Sequence, residues 1–302
     1  MKDNPDNRRV SGRILRGVGG LYWVHGPDGL MMEASARGLF RKSGIVPTPG
    51  DFVDCEPSGD PDRPWRIVFI HPRRNYLERP AVANLDGLVI TVSATQPPPD
   101  YLLVDKLLAV AYAHDIEPLL ILTKIDLAPS KMDLLKAYRP VGCLLLETAP
   151  GDETGLLALK QWLSGKVACL AGQSGVGKST LVNRLHDEVL VPVGDVSERL
   201  GRGRHTTREV IFFPYAGGYL ADTPGFSTLS LSDVGMTGER LANAYPEILR
   251  IRGQCRFNDC RHMGEPGCAI LNSGIDPDRL KRYRLLRSQL DEARGFSRSE
   301  KD

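Results

Sequence analysis

The stretch GQSGVGKS, from Gly172 to Ser179, has the residue types and spacing of a phosphate-binding loop, G-x-x-x-x-G-K-[ST]. It follows the apolar run VACLA and precedes the helix-forming TLVNRL, which is the strand–loop–helix setting that the motif requires. Its glycines let backbone N–H groups turn toward phosphate oxygens, and the helix N-terminus adds a favourable dipole. Lys178 is expected to contact the β- and γ-phosphates and to act in catalysis, and Ser179 to bind Mg²⁺. The predicted phosphate site comprises Gly172, Gln173, Ser174, Gly175, Val176, Gly177, Lys178, Ser179 and Thr180.

A second motif, DTPG, follows the apolar run GGYLA and spans Asp222 to Gly225. Asp222 is expected to hold Mg²⁺ through water, and the Gly225 amide to sense the γ-phosphate. Between the two motifs lies the Gly- and Arg-rich GRGRHTTREV. Thr206 or Thr207 there would complete the Mg²⁺ shell when a γ-phosphate is present, and we favour Thr207. A plain solvent loop is the alternative for this segment.

A third motif, TKID, spans Thr123 to Asp126 and predicts recognition of a guanine base. The Asp126 carboxylate can accept both the N1–H and the exocyclic NH₂ of guanine, a pair that adenine does not offer. The Lys124 stem is expected to lie over the purine, and ETA at 147–149 to bring a backbone amide to the guanine O6. The predicted base site comprises Thr123, Lys124, Ile125, Asp126, Thr148 and Ala149.

The order of these motifs is unusual, because a small GTPase begins with the phosphate loop and carries its base motif well downstream. Here TKID precedes the phosphate loop, whereas the placement of each motif after an apolar run is kept. Moving the chain ends is tolerated when the original termini lie close together. The sequence therefore predicts a circularly permuted GTPase.

Cys255, Cys260, His262 and Cys268 form C-x₄-C-x-H-x₅-C near the C-terminus. Three thiolates and an imidazole suit tetrahedral Zn²⁺, and four protein ligands leave no open position for catalysis. We therefore expect one structural Zn²⁺ that helps to fold a segment poor in apolar residues. Unliganded cysteines or a redox pair are the alternatives. The remaining cysteines, Cys55, Cys143 and Cys169, are expected in the core.

The elements that position these motifs follow from the apolar patterns. Residues 10–71 alternate short β-type runs with Gly- and Pro-rich turns, which is typical of a small barrel. Apolar strands then alternate with helical stretches, YLLVDKLLAVAYAHD among them, as in an α/β layer domain. Beyond residue 231 lie a helical stretch, the Cys/His cluster and a charged tail from Arg279, whose arginines we expect on a solvated helix face rather than on RNA.

Composition limits the function classes. The 302 residues carry a net charge of +2, so any nucleic-acid binding must come from local patches. The polar N-terminus and the apolar runs, which all fall short of about 20 residues, argue against a signal peptide and a membrane span. We expect a cytoplasmic monomer.

The barrel region mixes charge with aromatic surface, as RNA contact requires. The residues concerned are Arg13, Arg16, Arg37, Arg41, Lys42, Tyr22, Trp23 and Phe40. From these residues alone, an ordinary barrel with a solvated face is an equally good interpretation.

The sequence resembles the RsgA/YjeQ family along nearly the whole chain. The segments that carry the resemblance are GG.Y.V…DG…RG.FRK, RPAVANLDGLVI, TKIDL, GQSGVGKSTLVN, GRGRHTTRE, DTPGF and the cysteine pattern. Members of the family are ribosome small-subunit-dependent GTPases that assist late maturation of the 30S subunit. The resemblance implies an OB-fold RNA-binding barrel (1–72), a circularly permuted α/β P-loop GTPase (73–232) and a mostly helical zinc-binding domain (233–302). It also implies GTP and GDP, Mg²⁺ and one Zn²⁺ as ligands, and the 30S subunit and 16S rRNA as partners.

Two positions depart from the family. Thr123 stands where many members have Asn, which removes an amide able to brace the phosphate loop and is expected to weaken nucleotide affinity without changing base choice. Phe226 stands where a water-positioning Gln often follows D-x-x-G, so we expect slow intrinsic hydrolysis. His205 is the nearest polar candidate to orient the water, and contact with RNA or solvent is an equal alternative for it. A non-enzymatic RNA-binding scaffold and a small-molecule kinase are the competing functions; the intact Lys178 disfavours the first and the base motif the second.

Overall fold

The structure is a computed structural model that describes residues 9–36, 40, 44–61, 63–128, 135–186, 210–222, 226 and 229–299. Within those ranges, none of the helices combines the length and the apolar character needed to cross a bilayer.

Five strands near the N-terminus close into a barrel with the order β1-β2-β3-β5-β4. They are β1 (Val10–Val18), β2 (Leu21–His25), β3 (Met31–Ala36), β4 (Phe52–Asp60) and β5 (Arg63–Ile70). Alternate positions point inward, and Ile14, Val24, Met32, Val53 and Ile67 are fully buried there. Closing the sheet on itself removes exposed strand edges. The predicted OB-type barrel is confirmed.

A two-stranded ribbon connects the barrel to the central sheet, and it consists of β6 (Tyr76–Glu78) and β7 (Ala81–Ala83). The six strands of that sheet are β8 (Gly87–Ser93), β9 (Glu117–Thr123), β10 (Leu144–Glu147), β11 (Val167–Ala171), β12 (Ile211–Tyr215) and β13 (Gly218–Asp222). Their order is β10-β9-β8-β11-β13-β12, and every pairing is parallel except that of β12 with β13. Strands β8 and β11 are buried at every position, as expected of parallel strands covered on both faces.

Three helices cover the sheet: α1 (Tyr101–Ala113), α2 (Glu153–Leu163) and α3 (Lys178–His186). Helix α1 begins where the Asp100 side chain accepts a hydrogen bond from the Leu103 N–H at 3.0 Å, an N-cap. Its bounds match the helix predicted from YLLVDKLLAVAYAHD to within two residues. Helices α2 and α3 bury their apolar stripes on the opposite face, against β9 and β11.

The C-terminal region is helical: α4 (Gly238–Asn243), α5 (Pro246–Leu249) and α6 (Pro277–Ser299). Short 3₁₀ turns occur at Pro27–Gly29, Ile125–Leu127, Lys136–Val141, Ser232–Val234 and Ala269–Asn272. Tyr245, Tyr283 and Leu286 share one continuous core with Leu107 of α1 and Leu88 of β8. The C-terminal helices therefore pack onto the nucleotide-binding sheet rather than around a core of their own.

The prediction of a solvated face at the start of the charged tail is wrong for Arg279, whose side chain is 0% exposed. Its guanidinium pairs with Asp105 of α1 and with Glu247 of α5, the latter at 2.8 Å. The cause is charge complementarity: two buried carboxylates from other helices pair with a cation that the sequence pattern alone would place in water.

Candidate nucleotide site and metal centre

The sequence motifs follow the carboxyl ends of parallel strands, and those ends lie at one edge of the sheet. TKID continues from β9, ETA from β10, and GQSGVGKS from β11, which lies between β8 and β13. Asp222 closes β13 at the position paired with Leu170 of β11. In open parallel sheets this edge is where ligands bind, which explains how motifs in a permuted order still meet.

The phosphate-binding loop needs its glycines for two different reasons. Gly172, Gly175 and Gly177 have φ values of 139°, 79° and 99°, which side chains rarely adopt. At Gly172 a Cβ would also lie 2.3 Å from the carbonyl oxygen of Thr91 on the neighbouring strand β8. The loop can therefore curl tightly against the sheet and turn its N–H groups outward.

The base motif holds the phosphate loop directly. The Thr123 hydroxyl lies 2.6 Å from the Val176 carbonyl oxygen and 3.1 Å from that of Val92. The Lys124 ammonium donates to the carbonyls of Gly175 at 2.8 Å and Gln96 at 2.6 Å. Thr123 thus braces the loop through its hydroxyl, although it has no side-chain amide. A buried hydroxyl with one proton can serve one of these carbonyls at a time, and the shorter distance selects Val176.

A cavity of about 480 Å³ lies between the base motif and the phosphate loop. It brings together Lys124, Asp126, Thr148, Ala149 and Thr180, which the sequence assigned to one nucleotide. Its further lining includes Thr95, Gln96, Leu127, Pro150, Gly151, Gly177, Leu181 and Arg184. Apolar side walls with a carboxylate at one point suit a flat base read along one edge.

Lys178 lies at the first position of α3, and its ammonium donates to the carbonyls of Gly172 at 2.9 Å and Gln173 at 2.6 Å. These bonds hold the lysine over the loop where phosphates would be bound. Ser179 follows on the first turn of the same helix, and Asp222 is the last residue of β13, the strand paired with β11. Hydroxyl and carboxylate oxygens are the ligand types that Mg²⁺ uses.

Several predicted residues fall outside the described part of the chain. They are His205, Thr206 and Thr207 of the loop between the motifs, Gly225 of DTPG, and Arg37, Arg41 and Lys42 of the barrel region. Phe226 is described and is 0% exposed, packed into the core shared with the C-terminal helices. The position after D-x-x-G therefore supplies no polar group for a water.

The four predicted zinc ligands meet at one point. Their ligand atoms all lie within 4.8 Å of one another. The Nδ1 atom of His262 is 3.7 Å, 3.8 Å and 3.3 Å from the sulfurs of Cys255, Cys260 and Cys268. Zn–S bonds of about 2.3 Å and Zn–N bonds of about 2.0–2.1 Å at tetrahedral angles put N and S about 3.6 Å apart. The set fits Zn²⁺.

Glu265, which the sequence reasoning missed, shapes the backbone between two of these ligands. Its carboxylate accepts hydrogen bonds from the N–H groups of Met263 at 2.7 Å, Arg261 at 3.0 Å and Gly264 at 3.2 Å. Burial would raise the pKa of Glu265, but these backbone donors outweigh it and lower the pKa to about 2. The sequence feature that could have indicated this role is an acidic residue between two glycines, in the segment that joins His262 to Cys268.

The lone cysteines behave largely as predicted. Cys55 and Cys169 are fully buried, and Cys143 is half-buried against the core. Burial raises the pKa of the Cys55 thiol to about 12 and that of Cys143 to about 11. Neither thiol is therefore a nucleophile near neutral pH.

The predicted aromatic surface of the barrel needs correction at Tyr22. Tyr22 is 7% exposed and lies in the barrel core, because it shares the inward face of β2 with Val24. Trp23 points the other way, with the Arg16 guanidinium 5.2 Å from its ring centre. The sequence reasoning missed Phe52 and Phe69, 40% and 48% exposed, which flank His71 with ring centres 5.1 Å and 5.0 Å away. Phenylalanine at outward-facing strand positions was the signal.

Arg13 also differs from its predicted place on an open barrel face. It donates to the Gly50 carbonyl at 2.7 Å, and its guanidinium lies 5.4 Å from the ring centre of Tyr219 on β13. The Tyr219 hydroxyl is 2.9 Å from Nδ1 of His25 on β2. Burial lowers the pKa of Arg13 and of His25. These side chains join the barrel to the strand that ends in Asp222.

The fold and the site define a P-loop nucleotide-binding protein of the circularly permuted GTPase class. The sequence model for "RsgA GTPase" matches residues 70–232, and that for "RsgA N-terminal domain" matches residues 11–62. The chain is 38% identical over 281 residues to the small ribosomal subunit biogenesis GTPase RsgA of Caldanaerobacter subterraneus subsp. tengcongensis, covering 92% of this chain and 93% of that protein. It is 41% identical over 280 residues to the protein of that name from Ruminiclostridium cellulolyticum, covering 90% and 91%. This chain belongs to the RsgA GTPase family and is a GTP-hydrolysing enzyme.

Solved structures agree with this placement. YloQ, described as a circularly permuted GTPase, matches with a TM-score of 0.76 at 28% identity, covering 97% of this chain and 99% of that one. YjeQ from Thermotoga maritima matches with a TM-score of 0.76 at 27% identity, covering 94% and 99%. The permutation inferred from the motif order is confirmed.

Proposed function

We propose that this GTPase acts in late maturation of the small ribosomal subunit, binding the 30S subunit and its 16S rRNA and hydrolysing GTP faster when bound. The observation that carries the enzymatic half is the cavity in which the base motif, the loop that follows β10 (residues 148–152) and the phosphate loop meet. The names of the relatives, small ribosomal subunit biogenesis GTPases, support the choice of partner. A cytoplasmic monomer fits that role.

Guanine recognition is assigned to Asp126, with the Lys124 stem over the base and the Ala149 amide at O6. Asp126 lines the same cavity as Gly177 and Thr180 of the phosphate loop. A site built for these bonds rejects adenine, because the wrong base leaves the carboxylate unpaired. Thr123, Ile125 and Thr148 hold the surrounding backbone.

Phosphate binding is assigned to the loop from Gly172 to Thr180, with Lys178 moving from the loop carbonyls to the β- and γ-phosphates. Mg²⁺, held by Ser179, Asp222 and Thr207, would neutralise charge that develops on the transferred phosphoryl group. Gly225 would report the presence of the γ-phosphate.

Hydrolysis is expected to be slow without the subunit, because Phe226 is buried and positioning of the water is a large part of this catalysis. We assign that positioning to His205, brought to the nucleotide when its loop docks on the 30S subunit. His205→Ala should lose most of the subunit-stimulated turnover, typically ~10²-fold for a positioning group, while GTP affinity stays nearly unchanged.

RNA binding is assigned to the barrel, with Arg16, Trp23, Phe52 and Phe69 as described candidates and Arg37, Arg41 and Lys42 beyond them. The exposed rings of Phe52 and Phe69 suit stacked bases, and Arg16, which lies over the half-buried Trp23 ring, suits phosphates. The barrel would comprise residues 1–72, the GTPase domain residues 73–232 and the zinc-binding domain residues 233–302.

Steady-state GTP turnover, measured with and without purified 30S subunits, tests the proposal. We expect a large stimulation by 30S subunits and none by 50S subunits. A rate that is unchanged by 30S subunits, from protein that binds GDP, would remove the ribosome from the function and leave the nucleotide site in place.

A further inference from the structure

Arg184 lies on α3, the helix that also begins with the phosphate-binding Lys178. The two residues are six positions apart, which is about 9 Å along a helix axis. Arg184 lines the nucleotide cavity, and its side chain is 22% exposed. Its place in the phosphate-loop helix brings it beside the loop that follows β10, on the base side of the cavity.

The guanidinium makes four contacts, three with the loop that follows β10 and one with Glu153 at the start of α2. Nη1 donates to the Ala149 carbonyl at 3.0 Å and lies 3.3 Å from the Thr148 hydroxyl oxygen. Nη2 donates to the Asp152 carbonyl at 3.1 Å and lies 3.3 Å from a Glu153 carboxylate oxygen. A planar guanidinium with five donors can span such a loop, whereas a single ammonium cannot.

The strongest of these contacts are with backbone and buried atoms. Thr148 is 3% exposed and Ala149 is 8% exposed. The Glu153 side chain is 69% exposed, so the ion pair with it contributes little. The clamp therefore depends mainly on the carbonyls of Ala149 and Asp152.

The rest of the loop is already held close to its neighbours. The Thr148 N–H donates to the Leu122 carbonyl of β9 at 2.8 Å, and the Asp152 N–H donates to the Ala149 carbonyl at 3.1 Å. At Gly155 a Cβ would lie 1.9 Å from the Glu147 carbonyl oxygen, so α2 approaches the loop backbone directly. Arg184 ties this loop to the helix that follows the phosphate loop.

We propose that Arg184 is a positioning residue for guanine specificity, which fixes the Ala149 amide where it meets the O6 atom of the base. The inference rests on the proposed nucleotide site. Arg184 holds the Thr148 hydroxyl on one side of that amide and the Ala149 carbonyl on the other. The amide direction is thereby set from the phosphate-loop helix, and base and phosphate recognition share one rigid element.

The test compares three diphosphates bound to wild type and to Arg184→Met, which keeps an unbranched apolar stem of similar reach and loses the guanidinium. The probes are GDP, 6-thio-GDP and IDP. Sulfur at position 6 accepts a hydrogen bond poorly, so the Kd ratio of 6-thio-GDP to GDP reports the Ala149 amide. IDP lacks the exocyclic amine, so its ratio to GDP reports Asp126.

For Arg184→Met we expect GDP to bind about ten-fold more weakly, the scale of one lost charge-assisted hydrogen bond. The Kd ratio of 6-thio-GDP to GDP should fall to between one and about two. The Kd ratio of IDP to GDP should keep its wild-type value. Asn183→Ala, an exposed change on the same helix, should leave all three affinities unchanged. Thermal unfolding without nucleotide checks that each variant is folded.

Arg184→Lys is the second variant, and it decides the matter should Arg184→Met not fold. In Arg184→Lys the Kd ratio of 6-thio-GDP to GDP should stay well below its wild-type value, because one ammonium cannot bridge the carbonyls of Ala149 and Asp152. Wild-type ratios in both Arg184 variants would overturn the inference, and so would a parallel loss of both ratios, since that would make Arg184 a support of the whole pocket. A wild-type protein that binds IDP as tightly as GDP would instead refute the assignment of Asp126.

Discussion

At the scale of single residues, the nucleotide site depends on side chains that connect its parts as much as on those that face the ligand. Thr123 belongs to the base motif by sequence but bonds to the phosphate loop at Val176. Lys124 does the same at Gly175. A substitution at Thr123 or Lys124 therefore affects both base recognition and the shape of the phosphate loop. Comparing nucleotides that differ only in the base separates the two effects.

Asp126→Asn is expected to weaken GDP binding at least ten-fold, because a hydrogen bond to a charged acceptor contributes about 1.5–3 kcal/mol. Xanthosine diphosphate carries a carbonyl where guanine has an amine, so the new amide can donate to it and its affinity should rise. Competition binding of the two diphosphates measures both effects. Equal GDP affinity in wild type and variant would show that TKID is not the base motif.

Thr123→Val is expected to weaken all guanine nucleotides about five-fold, because the buried Val176 carbonyl loses a donor at a cost of about 1 kcal/mol. The GDP-to-IDP ratio should stay constant, since Asp126 is untouched. Thr123→Ser keeps the hydroxyl and serves as the matched control. A valine variant with wild-type affinity would mean that the loop holds its shape without this bond.

At the scale of elements, the sequence predicted what depends on local pattern. Buried apolar runs identified the strands, and the motif behind each run then lay at the correct edge of the sheet. The same rule of alternation could have shown that Tyr22 and Trp23, as neighbours on one strand, cannot both stack on RNA. Arg184 and Arg279 were beyond reach, because their partners come from elements far away in sequence and nothing local marks them.

The segment that carries the candidate zinc ligands, residues 255–268, is hydrogen-bonded to α6. The Tyr283 hydroxyl donates to the Arg261 carbonyl at 3.0 Å, and Arg284 donates to the His262 carbonyl at 3.1 Å. Cys255→Ser or His262→Ala should lower the zinc content below one per chain and lower the unfolding temperature, because metal binding supplies folding free energy to such a loop. GDP affinity should change little, since the ligands are not part of the nucleotide cavity.

Elemental analysis of protein purified without chelator gives the zinc content, and the exposed Asp259→Ala, between two ligands, is the control. Wild-type protein without stoichiometric zinc would refute the metal assignment. Variants with full zinc content would refute the ligand set.

At the scale of the whole molecule, charged and aromatic side chains join the barrel and the C-terminal helices to the nucleotide-binding sheet. On the barrel side, Arg13 and His25 contact Tyr219, three residues before Asp222 on β13. On the other side, α1 packs against α6, and the Lys106 ammonium of α1 donates to the Leu229 carbonyl at 3.3 Å, shortly after DTPG. Both flanking regions thus contact residues that adjoin the DTPG motif in the sequence.

A buried cluster around Arg279 joins the C-terminal helices to α1. Burial alone would lower the pKa of Arg279, but the carboxylates of Asp105 and Glu247 raise it well above its ordinary value. The Tyr245 ring lies 4.3 Å below the guanidinium, and Arg282 also pairs with Asp105. The arginine therefore stays charged in the core and binds three helices together.

Arg279→Met should lower the free energy of unfolding by about 3–5 kcal/mol, because the buried Glu247 carboxylate then loses its paired cation. Because the core is continuous across α1 and α6, we expect one cooperative transition at a lower denaturant concentration rather than separate melting of the C-terminal helices.

Lys281→Ala, an exposed change two residues away, should leave the midpoint unchanged. The double variant Arg279→Met/Glu247→Leu should recover part of the loss, since the unpaired Glu247 carboxylate is then removed while Asp105 keeps its pair with Arg282. Urea unfolding followed by circular dichroism measures these four proteins and the single variant Glu247→Leu, which completes the comparison. A midpoint for Arg279→Met equal to that of wild type, or a double variant whose loss is the sum of the two single losses, would show that the cluster does not hold the helices together.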